Sequence, residues 1–213
     1  MDRLTASYWN EKYHTQETPW DIGYASPPIR HYFEQVKDKN TRMLIPGAGK
    51  AHEAIYLHRL GFREVWVCDW AADAFAHLKQ EAPDFPEHHL LVMDFFSIDL
   101  TFDLIVEQTF FCAIDPSLRS KYVQKVHELL APEGRLIGLL FASPFGFEGP
   151  PFGGTKEEYQ QLFHPYFDLL QLKTADNSIQ PRLGNELFME FKKKGFDKSQ
   201  GEGKPNQRVT PLI

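Results

Sequence analysis

The chain has 213 residues, 42% hydrophobic and 24% charged, with a formal net charge of -6. That length suits a single domain with a sizeable core, and the composition excludes a disordered or fibrous chain. The acidic balance argues against nucleic acid or an anionic membrane as partner, because both are bound through basic patches.

The opening segment "MDRLTASYWNEKY" carries no apolar leader stretch, and no run approaches the length of a membrane span. Cys68 and Cys112 lie in apolar settings, so the expectation is a reducing, cytoplasmic location without a disulfide scaffold. Residues 1–37 concentrate aromatic side chains, with Tyr8, Trp9, Tyr13, Trp20 and Tyr24 ahead of the first strand. Trp9 and Tyr13 share one helix face. Such a stripe either packs on the core or forms a lid whose ring faces attract a cation and exclude water.

"MLIP" from Met43 reads as a strand, and Ala51 to Arg59 carries apolar residues at helical spacing. "EVWVCDW" is a second strand, followed by a helix through "AADAFAHLKQEA". "HLLVMDFF" and "FDLIVEQTFF" are further buried strands. "PSLRSKYVQKVHELLAPEG" reads as a helix opened by Pro116 and closed by Pro132 and Gly134, with "RLIGLLFAS" the next strand. Alternation of this kind predicts a Rossmann-like, doubly wound α/β fold, its seven-stranded sheet mostly parallel. A helix from Lys156 to Phe163 then leads to "FDLLQLKTA" and "NELFMEFKKKG", an antiparallel C-terminal hairpin on the sheet. Residues 1–195 form one domain in this reading, and the polar stretch 196–213 a flexible tail.

Gly47 and Gly49 stand where the first strand hands over to a helix, a place that demands tight turning or close approach of a ligand. Asp69 ends the second strand, twenty residues after Gly49, where a carboxylate can accept from both hydroxyls of a ribose. The bland alternative is an ordinary turn with a solvated aspartate. A nucleoside triphosphate loop needs glycine where Leu44 stands and Ser or Thr where Ala51 stands, so that ligand fails. A dinucleotide fingerprint wants a third glycine at His52. S-adenosylmethionine has an adenosine without phosphates and suits the residues best. Asp94 and Phe95 close the third strand, where they meet an adenine, and Glu107 and Gln108 close the fourth, beside the amino-acid part of such a ligand. The histidines show no zinc spacing, so no metal is expected, and Lys192 to Lys194 read as a solvated strand end.

The strings "YWNEKYHTQETPWDIGYASPPI", "LIPGAGKAHE", "CDWAADA", "FDLIVEQTFFCAIDPSLRSKY", "LLAPEGRLIGLLF" and "GPPFGGT" resemble the thiopurine S-methyltransferase family, nearest its plant-type halide and thiol methyltransferases. The likeness runs from about Tyr8 to Gly195. It implies a methyltransferase that uses S-adenosylmethionine, held by residues matching Trp9, Tyr13, Trp20, Gly47, Gly49, Asp69, Asp94, Phe95 and Gln108. It also implies an acceptor side at Phe111, Phe152 and Arg182, the arginine attracting an anionic acceptor. Phe152 stands where the halide and thiocyanate enzymes carry tyrosine, and Tyr13 where relatives often carry tryptophan. The expected activity is methyl transfer to a small sulfur nucleophile by a monomer. Transfer to a halide, thiocyanate, or a selenium or tellurium species, and ligand binding without turnover, remain as alternatives.

Overall fold

The computed structural model describes residues 4–147 and 149–195, so the expected tail over 196–213 lies outside the described residues. Seven strands form one sheet: β1 (Met43–Pro46), β2 (Val65–Asp69), β3 (Leu90–Val92), β4 (Phe102–Gln108), β5 (Leu130–Phe141), β6 (Phe167–Thr174) and β7 (Glu186–Lys193). Their order is β3-β2-β1-β4-β5-β7-β6. The first five run parallel, and β7 lies antiparallel between β5 and β6. This is the expected Rossmann-like sheet. The chain runs outward from β1 to β2 and β3 and then crosses back to set β4 on the other side of β1, so a crevice opens at the carboxyl ends of β1 and β4.

Helices cover both faces because both faces of the strands are apolar. Met43 and Ile45 of β1, Val65 and Val67 of β2, and Ile137 and Leu139 of β5 bury against α2 (Pro27–Phe33), α3 (His52–Arg59) and α4 (Phe75–Glu81). Alternate residues, among them Leu44, Ile105, Leu136 and Leu140, bury against α5 (Arg119–Leu129) and α6 (Lys156–Phe163). Each fully buried Leu or Ile contributes about 1.5–3 kcal/mol through removal from water. The sheet is thus the middle layer of three.

Two segments depart from the sequence reading. The helix expected through Pro132 and Gly134 ends at Leu129, and β5 begins at Leu130. Leu130 pairs with Phe102 and the next pair is Leu104 with Arg135, so Pro132, Glu133 (φ 67°) and Gly134 form a bulge. A bulge and a helix stop call for the same residue types. Strand β3 stops at Val92, because the Asp94 carboxylate accepts from the Phe96 N–H at 3.0 Å and starts a 3-10 turn over Phe95–Ser97. The lysine run is anchored at its end, where Lys194 Nζ donates to the His164 carbonyl at 2.7 Å.

Candidate active site

The crevice at the β1/β4 switch is a cleft of about 2010 Å³, walled by the ends of β1, β2 and β4 and faced by the N-terminal segment. Its floor begins at the glycine turn. Gly47 (φ +68°) donates its N–H to the Cys68 carbonyl at 2.8 Å, and a Cβ there would stand 2.6 Å from the Phe110 ring. Gly49 (φ +53°) differs, since an added Cβ would meet only Trp20 Nε1, at 3.9 Å. Gly47 is bare so that Phe110 can pack on the turn, and the space above Gly49 is open to the cleft.

Asp69 stands beside that turn. It is 8% exposed, and one carboxylate oxygen accepts from the Ala71 N–H at 2.8 Å. Burial pushes its carboxyl up to about 6, while the N–H groups of Ala71, Ala48 and Gly49 pull the other way. The phenol of Tyr13 faces the same carboxylate. Burial and the Asp69 charge hold that phenol above its ordinary range. Asp94 lines the cleft beyond, together with Phe95, whose ring stacks on Tyr122 with centroids 5.5 Å apart.

Helix α1 (Ala6–His14) starts where the Thr5 hydroxyl accepts from the Tyr8 N–H at 3.2 Å. Trp9 and Tyr13 on one face of it meet Trp20 edge-on, with centroids 5.4 and 6.1 Å apart. Asp21, next to Trp20, bridges Lys50 Nζ at 2.7 Å and His52 Nε2 at 2.8 Å. Burial opposes ionisation of Asp21, but Lys50, the Gly23 N–H and His52 outweigh it and hold the carboxyl below its ordinary value. His52 therefore serves as an anchor for the aromatic segment at the start of α3. That is a second physical reason for its place where a dinucleotide fold has glycine.

The end of β4 departs from expectation. Glu107 is fully buried and accepts from the Phe110 and Phe111 N–H groups, both at 2.8 Å, and from the Tyr122 hydroxyl at 2.6 Å. It braces the turn after β4 instead of facing a ligand, and burial pushes its carboxyl up to about 7. Gln108 lines a separate cavity of about 10 Å³ with Cys112, Tyr159 and Glu186, and its buried Oε1 has no partner. Phe111 is 1% exposed and packs on Tyr122, Tyr159 and Phe163 in the core, so the structure removes it from the acceptor side. Thr109 adopts φ +61°, which breaks the strand alternation and sends Phe110, not Phe111, to the cleft.

Phe152 and Arg182 do line the cleft. The loop at Phe152 is tied down by its N–H, which donates to the Cys112 carbonyl at 2.7 Å, and by Arg119, which donates to the Phe152 and Gly153 carbonyls at 3.2 and 2.8 Å. Arg182 Nη2 donates to the Trp20 carbonyl at 2.8 Å and Nη1 to Glu186 at 3.3 Å. Sequence reading passed over Trp70, Phe110, Phe145 and Phe147, which also line the cleft. Trp70 is 40% exposed directly after Asp69, and Phe147 58% exposed after β5. Large aromatics just past strand ends were the available signal. No helix among the described residues is long and apolar enough to cross a membrane.

Known proteins share the family and the fold. The profile of the thiopurine S-methyltransferase family matches residues 4–194. A probable thiol methyltransferase 2 of Arabidopsis thaliana is 29% identical over 91% of this chain and 88% of its own length. A thiopurine S-methyltransferase of Vibrio parahaemolyticus is 23% identical over 75% of this chain and 82% of its own. Among solved structures, the Burkholderia thailandensis 1,6-didemethyltoxoflavin-N1-methyltransferase with bound S-adenosylhomocysteine superposes with a TM-score of 0.71 at 20% identity, covering 89% of this chain and 87% of that one. The chain is an S-adenosylmethionine-dependent methyltransferase and belongs to the thiopurine S-methyltransferase family.

Proposed function

We propose that the enzyme methylates a small sulfur nucleophile of thiol or thiopurine type, acting as a cytoplasmic monomer. The observation that carries this reading is the division of the cleft. Among the lining residues, Gly49, Asp69 and Asp94 follow β1, β2 and β3, with the rings of Trp9, Tyr13 and Trp20 grouped by Gly49, whereas Phe145, Phe147, Pro150, Pro151 and Phe152 follow β5, two strands away from β1 in the sheet. The first group suits S-adenosylmethionine, because the buried Asp69 carboxylate matches a pair of ribose hydroxyls and the rings can face a sulfonium. The bound cofactor supplies an electrophilic methyl group.

The chain's own contribution is alignment and exclusion of water. Among the described residues, the acceptor wall of Phe145, Phe147, Pro150, Pro151 and Phe152 carries no base. Asp115 at its edge accepts from the Ser117 N–H at 2.8 Å, and that contact holds its carboxyl below the usual range. A thiol ionises near pKa ~8.5, so a useful fraction is thiolate at neutral pH without a base. An acceptor of that kind suits this wall better than an alcohol, which needs a proton taken from it. Phe152 offers no hydroxyl to a small anion, which places halides and thiocyanate second.

The test is to incubate the purified enzyme with S-adenosylmethionine and a panel of thiols, thiopurines, thiocyanate and iodide, measuring S-adenosylhomocysteine and methylated product. Turnover confined to the sulfur compounds with a free thiol supports the proposal. Turnover confined to iodide or thiocyanate overturns it.

A further inference from the structure

We infer that Arg182 is a positioning residue that holds the aromatic lid over the cofactor, not a receptor for an anionic acceptor. The inference rests on the S-adenosylmethionine site proposed above.

The guanidinium reaches across the cleft to the lid itself, with Nη2 donating to the Trp20 carbonyl at 2.8 Å. Its charge is already matched. Glu186, with a side chain 4% exposed, accepts from Nη1 at 3.3 Å. A second buried carboxylate, Glu53, lies close enough that the Arg182 charge is among the influences opposing the upward push of burial on its carboxyl. Glu53 in turn accepts from the Ser26 N–H at 2.9 Å, at the far end of the lid. A guanidinium already paired with a buried carboxylate is a weak receptor for another anion and a strong donor to a carbonyl.

The base of the strap is rigid. Arg182 ends a short 3-10 turn, and the loop behind it is stitched to the end of β5. The Ala142 N–H donates to the Asn185 carbonyl at 2.9 Å, and the Ser143 hydroxyl to Asn185 Oδ1 at 2.6 Å. The lid is therefore held from two walls. Lys50 and His52 grip Asp21 from the glycine-turn side, and Arg182 grips Trp20 from the acceptor side. Trp20 carries the rings of Trp9 and Tyr13 with it, so the strap sets where the whole roof sits.

Because Arg182→Ala alone would leave Glu186 buried and unmatched, the test uses Arg182→Lys and the double variant Arg182→Met/Glu186→Gln. S-adenosylhomocysteine affinity is measured by calorimetry with no acceptor present, amide exchange is followed over residues 16–26, and KM is compared for a neutral thiol and for thiocyanate. The strap predicts roughly tenfold weaker S-adenosylhomocysteine binding in the double variant, faster exchange in the lid with the sheet unchanged, and equal losses for both acceptors. Arg182→Lys, which keeps the charge but not the fork, should recover little of this. Unchanged affinity and exchange, with KM raised for thiocyanate alone, would overturn the inference. Wild-type enzyme that fails to bind S-adenosylhomocysteine at all would instead count against the cofactor site itself.

Discussion

The Tyr122 hydroxyl donates to the Glu107 carboxylate across 2.6 Å, and both side chains are shut away from water. The pair joins α5 to the end of β4 and holds the turn that aims Phe110 at Gly47. Replacing Tyr122 with Phe leaves Glu107 with two backbone donors and one unmet oxygen. The expected loss is about 1–3 kcal/mol of folding stability, read from urea denaturation, with S-adenosylhomocysteine affinity changed little.

Asp69 ties stability and binding to pH in opposite senses. Its folded value is raised from 3.8 to about 6, so the folded state takes up the proton first and the stability this gives is present at low pH. That stability is lost as pH rises through about 6. Asp69→Asn removes the titration. The stability difference between variant and wild type should therefore shift by about 2 kcal/mol in the variant's favour from pH 4 to pH 8, seen in denaturation at each pH.

The same carboxylate must be ionised to accept from two ribose hydroxyls. Cofactor affinity should fall as pH drops below about 6, and Asp69→Ala should weaken it by about 1–3 kcal/mol at neutral pH. Isothermal calorimetry with S-adenosylhomocysteine checks both. Affinity that is flat from pH 8 to pH 5 would remove Asp69 from the ribose site.

The two glycines of the first turn should separate under substitution. Gly47→Ala meets the Phe110 ring at 2.6 Å in a positive-φ position, so it should destabilise the fold strongly, by about 2 kcal/mol or more. Gly49→Ala has only the positive φ to bear, about 1 kcal/mol, but adds a methyl group on the cleft side and should weaken the cofactor more than the fold. Paired melting and calorimetry on the two variants distinguish these outcomes.

Acceptor chemistry gives a further check. With the acceptor supplying its own thiolate, the rise of kcat/KM with pH should follow the ionisation of each thiol used, shifting as thiols of different pKa are exchanged. Phe152→Tyr supplies a hydroxyl at the cleft and should raise turnover of thiocyanate or iodide relative to thiols. A pH profile that stays put across thiols would reveal a protein group acting as base.

Much of this was legible in the residues. Continuous apolar runs marked β1, β2 and β4, and the helix expected from Lys156 to Phe163 is α6 to the residue. Gly49 and Asp69 fall where the strand-end logic put them. The errors cluster where one backbone dihedral decides. Gln108 was assigned to the ligand because it closes the fourth strand, yet beyond it the left-handed Thr109 turns the chain, and Gln108 and Phe111 line the small cavity while Phe110 lines the cleft. The bulge at Pro132 to Gly134 was invisible for a related reason, since its residues would equally well stop a helix. Arg182 was placed at the cleft, but its partners Trp20 and Glu186 are tertiary neighbours that no spacing reveals.

The order of the last strands bears on how the protein is made. β6 finds its ladder partner only in β7, and β7 is also what joins it to β5. A ribosome-bound chain that has exposed β6 but not residues 186–193 can complete neither edge, and the Arg182 grip on the lid waits for that same seam. During synthesis β5 stands as an open edge until the final strand slides in, which is the interval when a chaperone would have most to protect.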